Sequence, residues 1–195
     1  MNMQRIKLRF VRTTVCVAFA WAVAMATAAS ATTLERMSLA KMAVAAPVIV
    51  RARCGGNSVA REEGEIWTFT SFDVEETWRG SPPARITVRL LGGSMGDITS
   101  HVSGVPRFTP GEDVVLFLQP TARSDFSIVS WEQGTFRIRQ DASGTQALVT
   151  QDTASFATFD PATRQFRPAG IRNMALDQFR ARVRTALGAA PAKQP

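Results

Sequence analysis

The chain has 195 residues, 23 lysines and arginines against 16 acidic residues, and a formal net charge of +7. Four of the cations (Arg5, Lys7, Arg9 and Arg12) precede every acidic residue, and the chain from Thr32 onward carries a net charge of only +3. This weak charge removes the main compositional support for nucleic-acid binding, so we expect no nucleic-acid partner.

The N-terminal segment has the three parts of a cleavable secretory signal peptide. The four cations precede an apolar run over 15–26, which is too short for a membrane span of about 20 residues. The sequence Ala-Ser-Ala at 29–31 fits the site that signal peptidase recognises. We predict a signal peptide over 1–31, with cleavage after Ala28 as the second choice and a buried helix as the alternative. The exported protein is then periplasmic or secreted, with no transmembrane segment.

Removal of this segment also removes Cys16 and leaves Cys54 as the one cysteine from residue 32 onward. No disulfide can then form within the exported chain. An exposed lone thiol is a liability in an oxidising compartment. Because Cys54 alternates with Val50 and Ala52 on the apolar side of a strand pattern, we predict that it is buried.

The first predicted elements are a helix, two strands and a loop. Residues 38–46 have helical apolar spacing behind Ser38 as N-cap, and the proline at position 47 ends the helix. A strand follows over 48–54 and breaks at the Gly-Gly-Asn-Ser sequence. The polar stretch to residue 64 is predicted to be a loop, and 66–78 is the longest strand pattern, with an outer face that starts aromatic and ends acidic.

The middle of the chain continues the β pattern. A turn at 79–83 leads to a strand over 86–90, and the glycine-rich stretch 92–97 is predicted to be a flexible loop. Residues 114–118 are apolar on both faces and predict a central buried strand. Shorter strand patterns follow at 126–129, 135–139 and 146–150.

The C-terminal part differs from the rest in charge and in period. Residues 164–195 have seven cations and only Asp177 as an acid, whereas 32–163 has a net charge of −3. A helix is predicted over about 173–187, because apolar residues recur at helical spacing; they are Leu176, Phe179, Val183 and Leu187. We expect this basic tail to pack on the acidic body, with a partner or an anionic membrane surface as the alternative.

These elements predict a mainly β fold, a small barrel or sandwich with a short N-terminal helix and a C-terminal amphipathic helix. The predicted organisation is a signal peptide at 1–31, a β domain at 32–163 and a basic tail at 164–195.

No catalytic residue is predicted. His101 is the only histidine in the chain, so a histidine-dependent nucleophile would have to use it. Its surroundings do not resemble a nucleophile elbow, and a dyad with Cys54 requires the fold to bring the two together. Alternation along the strand also points Arg51 and Arg53 away from Cys54, which leaves the thiol without an activating cation.

No metal or cofactor site is predicted either. One histidine and one cysteine cannot make a conventional tetrahedral zinc site. The acidic runs at 62–65 and 73–76 lack EF-hand spacing and are interpreted as charged surface. The glycines over 92–96 have no lysine beside them and no helix pattern after them, so they predict backbone at positive φ and not a phosphate loop.

Much of the chain, from about Leu34 to Ile138, resembles a family of uncharacterised exported bacterial proteins. The matching segments are Ile66–Phe69, Val74–Gly80, Gly92-Gly93, Val102–Leu118 and Gln133–Ile138. The family carries no established activity, so the resemblance implies export and no particular reaction.

A helix before the strand Val48–Ala52, and a long strand that ends in Arg79-Gly80, are similar to netrin-like modules, the OB-type barrels of tissue inhibitors of metalloproteinases. This resemblance implies a small OB-like β-barrel. It does not carry inhibition over, because those inhibitors present a disulfide-tied N-terminal cysteine to the protease zinc. The exported chain would begin near Thr32, with no cysteine there.

The sequence therefore predicts an exported, non-catalytic binding module for an unknown protein or envelope component. OB-type barrels bind through one exposed face and its loops, and the polar stretches Gly55–Gly64 and Gly92–Pro106 are the candidate loops. One alternative is an envelope-associated protein held by its basic C-terminal helix on a peripheral anionic membrane surface. The other is an enzyme of unknown class.

Overall fold

The computed structural model of the protein describes residues 36–155, 157–160, 164–168 and 170–189, of which 154–155, 157–160 and 166–168 are described through their backbone only. The predicted signal peptide over 1–31 lies outside the described residues. Among the helices of the described part, none has the length and hydropathy of a membrane span.

Strands dominate the described residues, with one helix before the sheet and one at its end, which confirms the predicted mainly β class. The helices are α1 (Leu39–Ala45) and α2 (Leu176–Gly188). The strands are β1 (Val48–Glu62), β2 (Glu65–Arg79), β3 (Arg85–Leu91), β4 (Gly93–Met95), β5 (Ile98–Ser100), β6 (Asp113–Pro120), β7 (Phe126–Ile128), β8 (Thr135–Gln140), β9 (Ala147–Gln151), β10 (Ala157–Asp160), β11 (Gln165–Pro168) and β12 (Met174–Ala175).

Eight of these strands form one sheet in the order β1-β2-β3-β7-β6-β8-β9-β12, and β1 also pairs with β6. The strands β1, β2, β3, β7 and β6 thus follow one another in a ring of pairings. The ring is joined between β3 and β7 by one parallel pair, Val88 with Phe126, and the sheet continues past β6. The sheet is therefore not a clear barrel, and the fold prediction holds as a mainly β sheet with two helices.

Two apolar cores share the strands β1 and β6. In β6, Val114, Leu116 and Leu118 belong to a core bounded by β1, β2 and β3. Val115 and Phe117 belong to a second core between the sheet and the two helices. All five side chains are 0 % exposed, which confirms the predicted central strand. A strand whose two faces are both covered is apolar throughout, because alternate side chains enter different cores.

The predicted break in the first strand is wrong. β1 continues through Gly55 and Gly56 to Glu62 and stays paired with β2, with a register shift at this point. A Cβ on Gly55 would stand 3.0 Å from the Ser71 Oγ atom. The glycines therefore lie at a bulge where the two strands approach closely. Glycine inside a strand often marks such a bulge and does not have to end the strand.

Helix α2 packs its apolar stripe on the body, as predicted. Leu176 is 7 % exposed, and Phe179 and Val183 are 0 % exposed. The ring centroids of Phe179 and Phe136 are 4.7 Å apart. The helix begins three residues later than predicted, because the preceding strand β12 pairs with β9 and extends the sheet before the helix starts.

Candidate binding site

The structure keeps apart the two residues that a histidine–cysteine site would need. Cys54 is 2 % exposed and lies in the core beside β6. Burial raises the pKa of its thiol, and the charge of Glu112 adds to this shift, so the reactive thiolate is disfavoured. His101 is exposed and lines a cleft whose lining does not include Cys54.

The acidic segments form ion pairs across the strands. Glu62 lies 2.6 Å from Arg89 and from Arg123, and Asp73 lies 2.7 Å from Arg85. In the part of the chain that the structure describes, no three histidine, cysteine or acidic side chains are grouped as a metal site requires. The acidic runs therefore serve as partners for neighbouring arginines.

A cleft of about 270 Å³ lies between the two stretches that the sequence predicts for binding. Both predicted binding stretches contribute to it, although the first is strand β1 and the second contains the hairpin β4–β5. Its apolar lining is Val59, Leu90, Gly93 and Phe108. Its polar lining is Asn57, Thr68, Ser94, Thr99, Ser100, His101 and Arg107. Apolar walls with a few convergent polar groups are typical of small-molecule sites.

The inner wall of the cleft is rigidly held. Phe108 is 6 % exposed, and its ring meets Phe72 edge-on at a centroid distance of 5.0 Å. Asn57 donates from Nδ2 to the Phe108 carbonyl at 2.8 Å and accepts from the Thr70 hydroxyl at 2.6 Å. The loop that carries Phe108 is thus fixed to β1 and β2, and this wall is formed before any ligand arrives.

Arg107 joins three segments around the cleft. Its Nη1 atom donates to the Thr68 hydroxyl and to the Gly92 carbonyl, each at 3.1 Å, and its Nη2 atom donates to the Ser100 carbonyl at 3.4 Å. A Cβ on Gly92, where φ is +87°, would stand 2.8 Å from Arg107 Nη2. The predicted positive φ at this glycine is confirmed, and the missing side chain lets the guanidinium approach the backbone.

Two other half-buried arginines pair with a carboxylate, and Arg107 differs from them in this respect. In Arg51, Nε and Nη2 lie 3.1 and 2.6 Å from the Asp113 carboxylate, and this hydrogen bonding raises the pKa of Arg51. In Arg137, the same two atoms lie 2.6 and 3.0 Å from Asp152. Among the described residues, no carboxylate pairs with Arg107 and no acceptor binds its Nε atom.

The remaining half-buried arginines also differ from Arg107. Arg89 and Arg180 each pair with a carboxylate. Arg79 donates to two carbonyls at the C-terminal end of α1, where a helix presents negative partial charge. Within the described part of the chain, Arg107 therefore combines partial burial with neutral acceptors that belong to no helix end.

On the outer face of β2 and β3, by contrast, the arginine is paired with carboxylates of the same chain. The guanidinium of Arg89 lies 4.4 Å from the ring centre of Trp67 and 5.6 Å from that of Phe69. The same group lies 2.6 Å from Glu62 and 3.5 Å from Asp125. The aromatic start of β2, which the sequence identifies as one face of the strand, is thus covered by an internally paired cation.

No pattern of residue types in the sequence singles out Arg107. Its acceptors are one hydroxyl and two carbonyls at positions 68, 92 and 100, and backbone carbonyls leave no trace in residue types. A local signal existed only for Gly92, whose need for positive φ follows from the glycine-rich stretch.

Comparison of the sequence with family models and with curated proteins, and of the fold with solved structures, finds no match. The candidate site therefore rests on its geometry.

Proposed function

We propose that the protein is an exported, non-catalytic binding module that takes a small ligand in the cleft between β1 and the β4–β5 hairpin. The observation that carries this proposal is the cleft itself, with apolar walls, one half-buried cation and several hydroxyl and amide groups. Export is supported by the basic, apolar and small-residue parts of residues 1–31.

The strand pairing supports an OB-like relationship. OB-type proteins are partly open five-stranded barrels, and β1, β2, β3, β7 and β6 follow one another in a ring of five strands. Such proteins bind through the face of strands 2 and 3 and the adjoining loops. Here Arg89 and its carboxylate partners cover part of that face, so we favour the cleft as the binding site.

Attachment to an anionic membrane surface is the second candidate. Its support is the pair of exposed arginines Arg182 and Arg184 on α2. Because the apolar stripe of α2 is buried in the body, this attachment would rest on charge alone and would weaken steeply with salt.

The proposal is tested by NMR chemical-shift mapping of the purified protein with three four-carbon probes: butanol, butyrate and butylamine. We expect at least one probe to shift amides that line the cleft. Ser94→Trp, which fills the cleft, should abolish those shifts. Ser81→Trp adds the same bulk at an exposed turn outside the cleft and should preserve them. If no probe moves the cleft amides of the wild-type protein, the proposal is wrong.

A further inference from the structure

We infer that the ligand of the cleft is a small organic carboxylate, held by the guanidinium of Arg107 with its apolar part against Val59, Leu90 and Phe108. This inference rests on the proposed function, since it names the ligand class of the same site.

The guanidinium of Arg107 has one edge that the described residues leave open. A carboxylate binds arginine best through two parallel hydrogen bonds to one edge of the group. In Arg51 and Arg137 the Nε–Nη2 edge is filled by Asp113 and Asp152. In Arg107 the Nε atom binds no described acceptor, and Nη2 makes one long hydrogen bond of 3.4 Å. The edge that the protein elsewhere fills with its own carboxylates is thus available to a ligand.

The charge of Arg107 favours an anionic ligand. A charged group that is withdrawn from water is stabilised by a counter-charge, and the acceptors of Arg107 are neutral. Among the described residues, the lining contains no carboxylate and no lysine, so one guanidinium is its permanent charge. A single cation matches a carboxylate monoanion better than a phosphate dianion, which would require further cationic donors.

The apolar walls and the small volume of the cleft favour a short ligand with a hydrocarbon part. Val59, Leu90 and Phe108 present apolar surface beside Arg107, which favours a ligand with a hydrocarbon part over an inorganic anion. The volume of about 270 Å³ is slightly below the range of about 300–1,000 Å³ that is usual for ligand sites, which favours a small ligand. A short aliphatic carboxylate satisfies all three conditions.

Arg107 also ties the β4–β5 hairpin to β2, so its replacement would disturb the fold as well as the site. We therefore place the test on Ser94. This exposed residue lines the cleft, and its hydroxyl is hydrogen-bonded only to the Thr99 hydroxyl among the described residues, at 3.0 Å. Ser94→Asp supplies an internal carboxylate to the cleft, and Ser94→Asn supplies the same shape without the charge.

The experiment is an NMR titration of the purified protein with butyrate and, separately, with its neutral isostere butyramide. We expect butyrate to bind about tenfold or more tightly than butyramide, because hydrogen bonds to a charged group are the stronger ones. We expect Ser94→Asp to bind butyrate about tenfold or more weakly than Ser94→Asn, because the new carboxylate competes for Arg107. Butyramide should not distinguish the two variants.

The outcomes separate this inference from the proposed function. Equal binding of butyrate and butyramide, or equal butyrate binding by the two variants, overturns the carboxylate inference and leaves a binding cleft. Binding of none of the probes overturns both.

A further arm distinguishes the source of the carboxylate. Acetyl-Gly-Val with a free C-terminus presents the carboxylate of a peptide, and its amidated form is the control. Binding of butyrate without acetyl-Gly-Val assigns the site to free small carboxylates, as we expect. Stronger binding of the free peptide than of butyrate would overturn the small-ligand assignment.

Discussion

Among the described residues, two half-buried arginines at the helix-bearing end of the molecule, Arg51 and Arg180, pair with a carboxylate, whereas the half-buried arginine of the cleft does not. At the helix-bearing end, made by α2 and the ends of β1 and β2, Glu76 accepts hydrogen bonds from Arg180 at 2.8 Å, Arg51 at 3.2 Å and Trp78 at 3.1 Å. In the cleft, the acceptors of Arg107 among the described residues are all neutral. At the helix-bearing end, both arginine charges are paired within the protein, and this pairing stabilises the fold. In the cleft, one edge of the Arg107 guanidinium is left for a ligand.

The largest effect is expected from Phe179→Ala. Phe179 is fully buried between Phe136 and Trp78, and truncation of a buried phenylalanine costs about 3–5 kcal/mol. Urea denaturation should show this loss in the free energy of unfolding. Arg182→Ala, at an exposed position of the same helix, should change it by less than about 0.5 kcal/mol. An unchanged unfolding energy for Phe179→Ala would contradict the docking of α2.

The same two variants address the membrane alternative. If α2 held the protein on anionic vesicles through its apolar stripe, Phe179→Ala would abolish co-sedimentation with them without changing stability. The buried stripe predicts the reverse, a loss of stability in the absence of any vesicle.

Glu76→Gln is expected to have the next largest effect, about 1–2 kcal/mol at pH 7, because it removes the charge shared by Arg180 and Arg51. Burial by itself raises the pKa of Glu76, but hydrogen bonds from Trp78 and Arg51 and the charge of Arg180 outweigh it and hold the pKa below its ordinary value.

The direction of this shift fixes the pH dependence. Because the pKa of Glu76 is lowered in the folded state, its carboxylate stabilises the fold fully at pH values above the ordinary pKa of 4.5. This stabilisation is lost as the pH falls through the lowered pKa of the folded state. The difference in unfolding energy between wild type and Glu76→Gln should therefore narrow below that pH. Glu65→Gln is an exposed control. A difference that widens in acid would show that the carboxylate is not the stabilising group.

Cys54→Ala should cost about 1 kcal/mol or somewhat more, because it truncates a small core side chain. Burial also keeps the thiol protonated and out of reach. A bulky thiol reagent should therefore label the native protein slowly and the urea-unfolded protein fast. Fast labelling of the native protein would argue against the buried position.

The features that could be predicted from the sequence are those that depend on periodicity. Val114 to Leu118 is apolar at every position, and the structure shows that alternate residues enter two cores. The stripe of Leu176, Phe179 and Val183 likewise predicted a docked helix. These patterns are readable because burial acts on residue type at fixed spacing.

The features that could not be predicted depend on what lies opposite in space. The glycine at position 55 predicts a strand end, but β2 continues beside it and the register shift makes it a bulge. The spacing predicts a helix from about residue 173, but Asn173 forms hydrogen bonds with Thr150 of β9 instead. Arg107 gave no signal, because two of its three acceptors are backbone carbonyls and the third is the Thr68 hydroxyl of β2, 39 residues away. In each case the deciding partner is far along the chain.

The most direct test of the central contrast measures stability in the absence of any ligand. If the guanidinium of Arg107 lacks an internal counter-charge, Ser94→Asp should be more stable than Ser94→Asn by about 0.5–1 kcal/mol at pH 7. Pairing lowers the pKa of the new carboxyl in the folded state, so this advantage should disappear near pH 3, below the ordinary aspartate pKa of about 3.9. Equal stability at pH 7, or a less stable Ser94→Asp, would contradict the account.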